Sequence, residues 1–197
     1  MRDQHIPATP RVAVIGKGAA ELAVALGVVI HPLEGSDVAL FIVSATDGIV
    51  RADSDLWLTA RESYIPSLVV ISDLDSKNDL DFEDMTAIAS KMLDPVATPY
   101  LVLHDEASAP VALIDLTTMK IRDYSVTEIT EREADPEHRE IVAEFSEEYL
   151  ETCESAGEDG FQNGLLYPAL PWVPSNNLGV AEILRYINLV EIIPSAS

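Results

Sequence analysis

Six apolar residues in succession follow Asp37 in the run Asp37-Val-Ala-Leu-Phe-Ile-Val43. A strand with one face in water alternates apolar and polar positions. This one does not, so both of its faces must be covered, as happens in a parallel sheet between helices. The neighbouring segments fit that demand. Arg11-Val-Ala-Val-Ile15 is a short β-branched run ending at Gly16, and the good helix formers of 19–26 follow, stopped by Gly27. After a turn at Asp47-Gly48, Asp53 or Ser54 is placed to cap a helix carrying Trp57, Ala60 and Tyr64. Pro66 stops it before a strand at 67–71. Asp81 is placed to cap a further helix, with Asp84 at its third position and Met85, Ile88, Ala89 and Met92 as its apolar stripe. Pro95 and Pro99 bracket the end of that helix, and Pro99-Tyr-Leu-Val-Leu103 reads as another strand. The alternation predicts an α/β fold with a doubly wound, mostly parallel sheet.

Beyond His104 the pattern changes. Residues 111–116 and 119–124, separated by Thr117-Thr118, read as an antiparallel hairpin. A helix over 136–150 would bury Ile141, Val142, Phe145 and Tyr149 opposite Glu140, Glu144, Glu147 and Glu148. Residues 151–164, rich in glycine and acid, read as a mobile connection. A last strand is expected at 165–170 and a last helix at 179–193, with Ala181, Leu184, Ile187 and Val190 or Glu191 on its inner edge. The expected organisation is a flexible leader at 1–10 and one domain over 11–197, holding an inserted β-hairpin and helical subdomain at about 99–165.

Charge narrows the function classes. The chain has 34 Asp and Glu against 12 Lys and Arg, a formal net charge of −22, which repels phosphate backbones and argues against direct nucleic-acid binding. A basic protein partner suits such a surface, which also keeps the chain soluble. The lone Cys153 excludes an internal disulfide, and Glu151, Glu154 and Glu158 around it disfavour a thiolate. The apolar stretch 12–30 contains Lys17, Glu21 and three glycines, which argues against a membrane span. The first ten residues show no secretory pattern, so a cytoplasmic protein is expected. His5, His31, His104 and His138 are scattered singly, and the acidic run Asp73, Asp75, Asp79, Asp81, Glu83, Asp84 lacks the spacing of a calcium loop. No metal ligands and no catalytic residues are expected.

Three stretches, in order, resemble the G domain of translation elongation factor G. The first runs from Asp37 through Asp47-Gly-Ile-Val50 to Trp57 and is similar to the strand, turn and Trp-bearing helix that precede the family's guanine-recognition motif. The second, Ala109-Pro-Val-Ala-Leu-Ile-Asp-Leu-Thr-Thr-Met-Lys-Ile-Arg-Asp-Tyr124, is similar to the hairpin of the insertion that marks this family among translational GTPases. The third, Leu178-Gly-Val-Ala-Glu-Ile-Leu-Arg-Tyr-Ile-Asn-Leu-Val-Glu-Ile-Ile-Pro194, resembles the family's closing helix. The resemblance implies a degenerate P-loop GTPase-like G domain.

The departures decide the functional expectation. A phosphate loop G-x-x-x-x-G-K-[ST] surrounds phosphates with backbone N–H groups and sets a hydroxyl on Mg²⁺. Here Gly16-Lys17-Gly18 follows the strand directly, with no Ser or Thr after the lysine. About twenty residues separate it from the strand at 37–43, too few for the family's switch region and Asp-x-x-Gly-His segment. Asp75 matches the family's base-reading aspartate, but Ser72 and Asp73 replace its Asn and Lys, and Pro171-Trp-Val-Pro-Ser175 replaces its Ser-Ala loop. The expectation is a non-catalytic pseudo-GTPase without a cofactor, a protein-interaction or regulatory module linked to translation. Its partner would be the translation machinery or a second copy of the chain. The alternative is a nucleotide- or anion-binding protein of altered specificity using Gly16, Lys17, Gly18 and Asp75. Gly16-x-Gly18 also has part of a dinucleotide fingerprint, but Glu21 stands where its third small residue belongs, so a plain strand-to-helix turn is the simpler reading.

Overall fold

A computed structural model describes residues 9–75, 80–126 and 128–190. The leader's first eight residues, Asp79 and residues 191–197 lie outside them, and with them the expectations for His5 and Glu191; the last helix, expected to reach 193, already ends at Ile187, where Asn188 caps it and residues 188–190 turn. The first half follows the expected alternation: β1 (Val12–Ile15), α1 (Ala19–Leu26), β2 (Val38–Ser44), α2 (Arg51–Glu62), β3 (Ser67–Ser72) and α3 (Phe82–Met92). Then come β4 (Tyr100–His104), β5 (Pro110–Asp115), β6 (Lys120–Asp123), β7 (Thr130–Glu133), α4 (Pro136–Ala156), β8 (Ala169–Pro171) and α5 (Val180–Ile187).

The strands form two four-stranded sheets. One is parallel, in the order β1-β2-β3-β8, and the other is antiparallel, in the order β4-β5-β6-β7. The expected parallel sheet is present, but the strand after Pro99 does not join it: β4 leaves the alternating series to pair with β5, and the hairpin is the middle of a larger sheet. The parallel strands are apolar except for buried serines at the ends of β2 and β3, Ser44, Ser67 and Ser72, because both faces are covered, as the run after Asp37 requires. Val14, Leu40, Ile42, Val70 and Leu170 pack with Leu22 and Leu26 of α1 and Ile183 and Ile187 of α5. Ala39, Phe41, Val43, Val69 and Ile71 pack with Trp57 of α2 and Phe82, Met85 and Ala89 of α3.

One bridge explains how α1 reaches its face. Right-handed crossovers stepping from β1 to β2 to β3 would put successive helices on the same side, and about 98% of such units are right-handed. Yet α1 lies opposite α2. Val12, which already pairs with Val38 on one side, forms a parallel bridge with Ile30 on the other, and His31 N–H donates to Val12 C=O at 2.8 Å. The chain thus steps outward past β1 after α1. It then returns to β2 along the opposite face, where Leu33 packs with the α2 side of the core. Both steps keep the same hand.

The antiparallel sheet is also covered on two faces. Leu101, Ile114 and Ile121 pack with Val142 of α4, while Tyr100, Leu113 and Tyr124 join the core that holds α5. Glu182, 1% exposed on α5, accepts from Arg122 Nη1 and from Tyr124 Oη, each at 2.6 Å. Arg122 also donates to Glu131 of β7 at 3.2 Å. Burial opposes the Arg122 charge, but Glu182 and Glu131 outweigh it and its pKa rises. Burial and the Glu182 charge likewise raise the Tyr124 phenol.

Several local expectations shift. Helix α2 begins at Arg51, ahead of Asp53 and Ser54, with Val50 as an N-cap that makes no side-chain hydrogen bond, and Tyr64 lies beyond its end, exposed at φ 53°. Asp81 does cap α3, accepting from Asp84 N–H at 2.8 Å, but Met92 is exposed and Phe82 and Thr86 are buried instead. On α4 the buried positions are Val142 and Ser146, whose hydroxyl donates to Leu116 C=O at 2.7 Å, while Ile141 and Phe145 face solvent. The 151–164 segment is no loose connection, since α4 runs to Ala156 and Phe161 is 5% exposed. On α5 the inner face holds Glu182, Ile183, Tyr186 and Ile187, so Ala181 and Leu184 sit at its flanks. No helix among the described residues is long and apolar enough to cross a membrane.

Candidate functional site

The carboxyl ends of β1, β2 and β3 lie side by side, and the turns leaving them hold the residues singled out in the sequence. Gly16 follows β1 at φ +113°, and a Cβ there would stand 2.7 Å from Ile42 C=O of β2. Glycine is therefore needed both for the backbone angle and for the close approach of two strands. Gly18, at φ +86°, is the N-cap of α1 and makes no side-chain cap. Between them Lys17 projects from a turn closed by Ala19 N–H to Gly16 C=O, 3.3 Å.

Lys17 Nζ donates to the Asp47 carboxylate on the turn after β2. The contact raises the Lys17 pKa, with a smaller contribution from Asp73, and lowers that of Asp47. Asp47-Gly48 turns the chain as expected, with Gly48 N–H to Ser44 C=O at 2.8 Å. Ser44, 2% exposed at the end of β2, organises this corner. Its hydroxyl accepts from the backbone N–H of Thr46 at 3.1 Å and of Asp47 at 3.0 Å, and it donates to Asp73 Oδ2 at 2.5 Å. Asp73 holds φ 60° on the turn after β3. Two residues on, Asp75 accepts from Ser175 Oγ at 3.0 Å, a contact between residues a hundred apart in sequence.

All four named residues thus stand on turns at one end of the parallel sheet, Gly16 to Gly18 beside Asp47 and Asp75 beside Ser175. Asp47, Ser44 and Ser175 were missed by sequence reasoning. In sequence Asp47 reads only as a turn residue, and its one further signal is a charge opposite to that of Lys17 thirty residues away.

These residues do not fit a magnesium–nucleotide complex. A triphosphate needs a ring of free backbone N–H groups and a lysine directed at its oxygens. The turn is only Gly16, Lys17 and Gly18, its lysine is bonded to Asp47, and Gly18 and Ala19 follow where a metal-holding hydroxyl belongs. Asp47, Asp73 and Asp75 outnumber Lys17 around the crevice, a field that repels phosphate. Trp172 fills space beneath the turn, its ring 3.5 Å from where a Gly18 Cβ would stand.

No protein-family model matches the chain. It is 27% identical to the elongation factor G-like proteins of two Mycobacterium tuberculosis strains, CDC 1551 / Oshkosh and ATCC 25618 / H37Rv, over 78% of its own length. The chain spans about a quarter, 24%, of the length of those relatives. A crystal structure of a protein from Thermus thermophilus superposes with a TM-score of 0.67 at 28% identity, covering 83% of this chain and 28% of that one.

Proposed function

Starting from an elongation-factor-G-like domain, we propose that this chain is a non-catalytic pseudo-GTPase, an interaction or regulatory module linked to translation that works through a protein partner in the cytoplasm. The observation that carries the reading is the Lys17–Asp47 pair. It closes over a three-residue turn the position where a GTPase would present a lysine to phosphate oxygens. The Ile30 bridge supports a doubly wound sheet, because it makes the chain reverse direction at β1, and ligands of such sheets bind at the reversal. In this chain that crevice is crossed by its own Lys17–Asp47 pair, and Ser44 bonds Asp73 across the next pair of strand ends.

The antiparallel sheet with α4 is the inserted subdomain of this reading, joined to the parallel sheet through the Ala97–Pro168 bridge and the Glu182 contacts. The alternative use of the Gly16 to Gly18 turn for an anion is disfavoured by the same engaged lysine.

Calorimetric titration with GTP and GDP in the presence of Mg²⁺ tests the reading. Heats equal to dilution are expected, and saturable Mg²⁺-dependent binding would refute it. Co-sedimentation with ribosomal particles tests the link to translation separately, with migration in the particle fractions expected and its absence removing that part of the proposal.

A further inference from the structure

A cleft of about 220 Å³ opens between the end of α4, the turns at 157–166 and α5. It is larger than the engineered cavity of about 150 Å³ that admits benzene. Four aromatic residues line it: Tyr100, Tyr149, Phe161 and Tyr186. Their arrangement is fixed. Phe161 and Tyr186 meet edge to face at 5.1 Å, and the Tyr149 and Tyr186 hydroxyls are 3.4 Å apart. Burial raises the phenol pKa of all three tyrosines, Tyr186 to about 12, so the rings stay neutral at physiological pH.

The charges around the rings balance to negative, two carboxylates and a helix carboxyl end against one guanidinium. Cys153 and Gly157 place the carboxyl end of the 21-residue helix α4 at the cleft, where the helix dipole is negative and no basic residue occupies the last turn. Asp115 and Glu158 add two carboxylates to the lining. The cation there, Arg185, is already committed: it donates to Tyr100 Oη at 3.1 Å and pairs with Asp115 at 3.5 Å. An anion would meet Glu158 and the helix carbonyls. A small cation would meet ring quadrupoles and negative potential together, and the charge of −22 steers cations toward the whole molecule.

We propose that this cleft is a binding site for an ammonium group, carried by a small organic amine or by a lysine side chain. The shared recognition is cation–π contact with the tyrosines, reinforced by Glu158 and the α4 terminus. It is independent of the crevice at Lys17, which lies beyond the carboxyl ends of β1 and β2.

The test is NMR titration of the intact protein with choline, reading the Tyr149 and Tyr186 ring signals, against sodium chloride at matched ionic strength and against the neutral isostere 3,3-dimethyl-1-butanol. Choline is expected to saturate the shifts and the isostere to bind about tenfold more weakly. Glu158→Gln is expected to weaken choline by about threefold and Tyr149→Leu by about tenfold. A peptide bearing trimethyllysine forms a second arm: binding tighter than choline assigns the site to a protein partner, and weaker binding assigns it to a free amine. Shifts matching those of sodium chloride, or equal binding of the isostere, would overturn the proposal. If Tyr149→Leu does not fold, Glu158→Gln and the isostere comparison decide it.

Discussion

Replacing Glu182 by alanine should cost more stability than any other single change to a charged side chain in this protein. The carboxylate is 1% exposed and holds two donors from the antiparallel sheet, Arg122 Nη1 and Tyr124 Oη, each at 2.6 Å. Removing it leaves the hydroxyl of Tyr124, itself 4% exposed, without its acceptor, at about 1–3 kcal/mol. Breaking a fully buried ion pair costs about 3–5 kcal/mol, but the Arg122 side chain is 35% exposed and keeps Glu131, which cuts its share to about 1 kcal/mol. The expected loss is about 2–4 kcal/mol, a sizeable part of the stability of an ordinary domain. Glu182→Gln retains one acceptor and should lose about half as much. Urea unfolding, followed by tryptophan fluorescence with slopes compared between variants, measures the change. A Tyr124→Phe cycle isolates the hydroxyl, with a coupling of about 1 kcal/mol expected. A loss below about 0.5 kcal/mol for Glu182→Ala, or no coupling to Tyr124, would refute the argument that this network fastens the second sheet to α5.

Other consequences are as open to measurement. Trp57 donates its indole N–H to Asp94 at 2.8 Å, whereas the buried Trp172 Nε1 has no partner among the described residues, so Trp57→Phe should destabilise by about 1 kcal/mol more than Trp172→Phe in the same unfolding assay. Gly179 lies at φ +91° with its missing Cβ directed into Pro171 C=O, while Gly27 at φ +66° has open space around it. Gly27→Ala should therefore cost about 1 kcal/mol, and Gly179→Ala several times that or a failure to fold, as thermal melts would report. Asp37 accepts three bonds from Arg11, chiefly through its side chain, which lowers the Asp37 pKa. A carboxyl depressed in the folded state adds stability above its unfolded pKa and loses it as pH falls through the folded one. The gap between native protein and Asp37→Asn should thus be constant above about pH 5 and shrink below about pH 4. A gap that widens in acid would contradict the assignment.

The sequence made the parallel half readable because its signals are local. The unbroken apolar run after Asp37, the glycines bounding α1 and the Asp81 cap each act within a few residues, and the structure places β2, α1 and α3 accordingly. Elsewhere long-range packing decides the structure. Strand β7, Thr-Glu-Arg-Glu, is exposed throughout and owes its conformation to pairing with β6, which no periodicity could announce. Helix α4 packs Val142 and Tyr149 against the antiparallel sheet and buries Ser146, whose hydroxyl donates to Leu116 C=O, while the more apolar Ile141 and Phe145 face out. In sequence the buried Glu182 is indistinguishable from a surface acid, because its two donors come from residues 60 and 58 positions away. At the candidate site, Gly16, Lys17, Gly18 and Asp75 were legible as residue types, but their engagement depended on Asp47, Ser44 and Ser175 meeting them across the strand ends.

The single pairing of Ile30 with Val12 sets a lower limit on how far such a domain can be trimmed. Cut back to α1 and spliced straight to β2, the chain would have to coil around its sheet in the disfavoured sense. One residue docked on the outer rim preserves the sense of winding at minimal length.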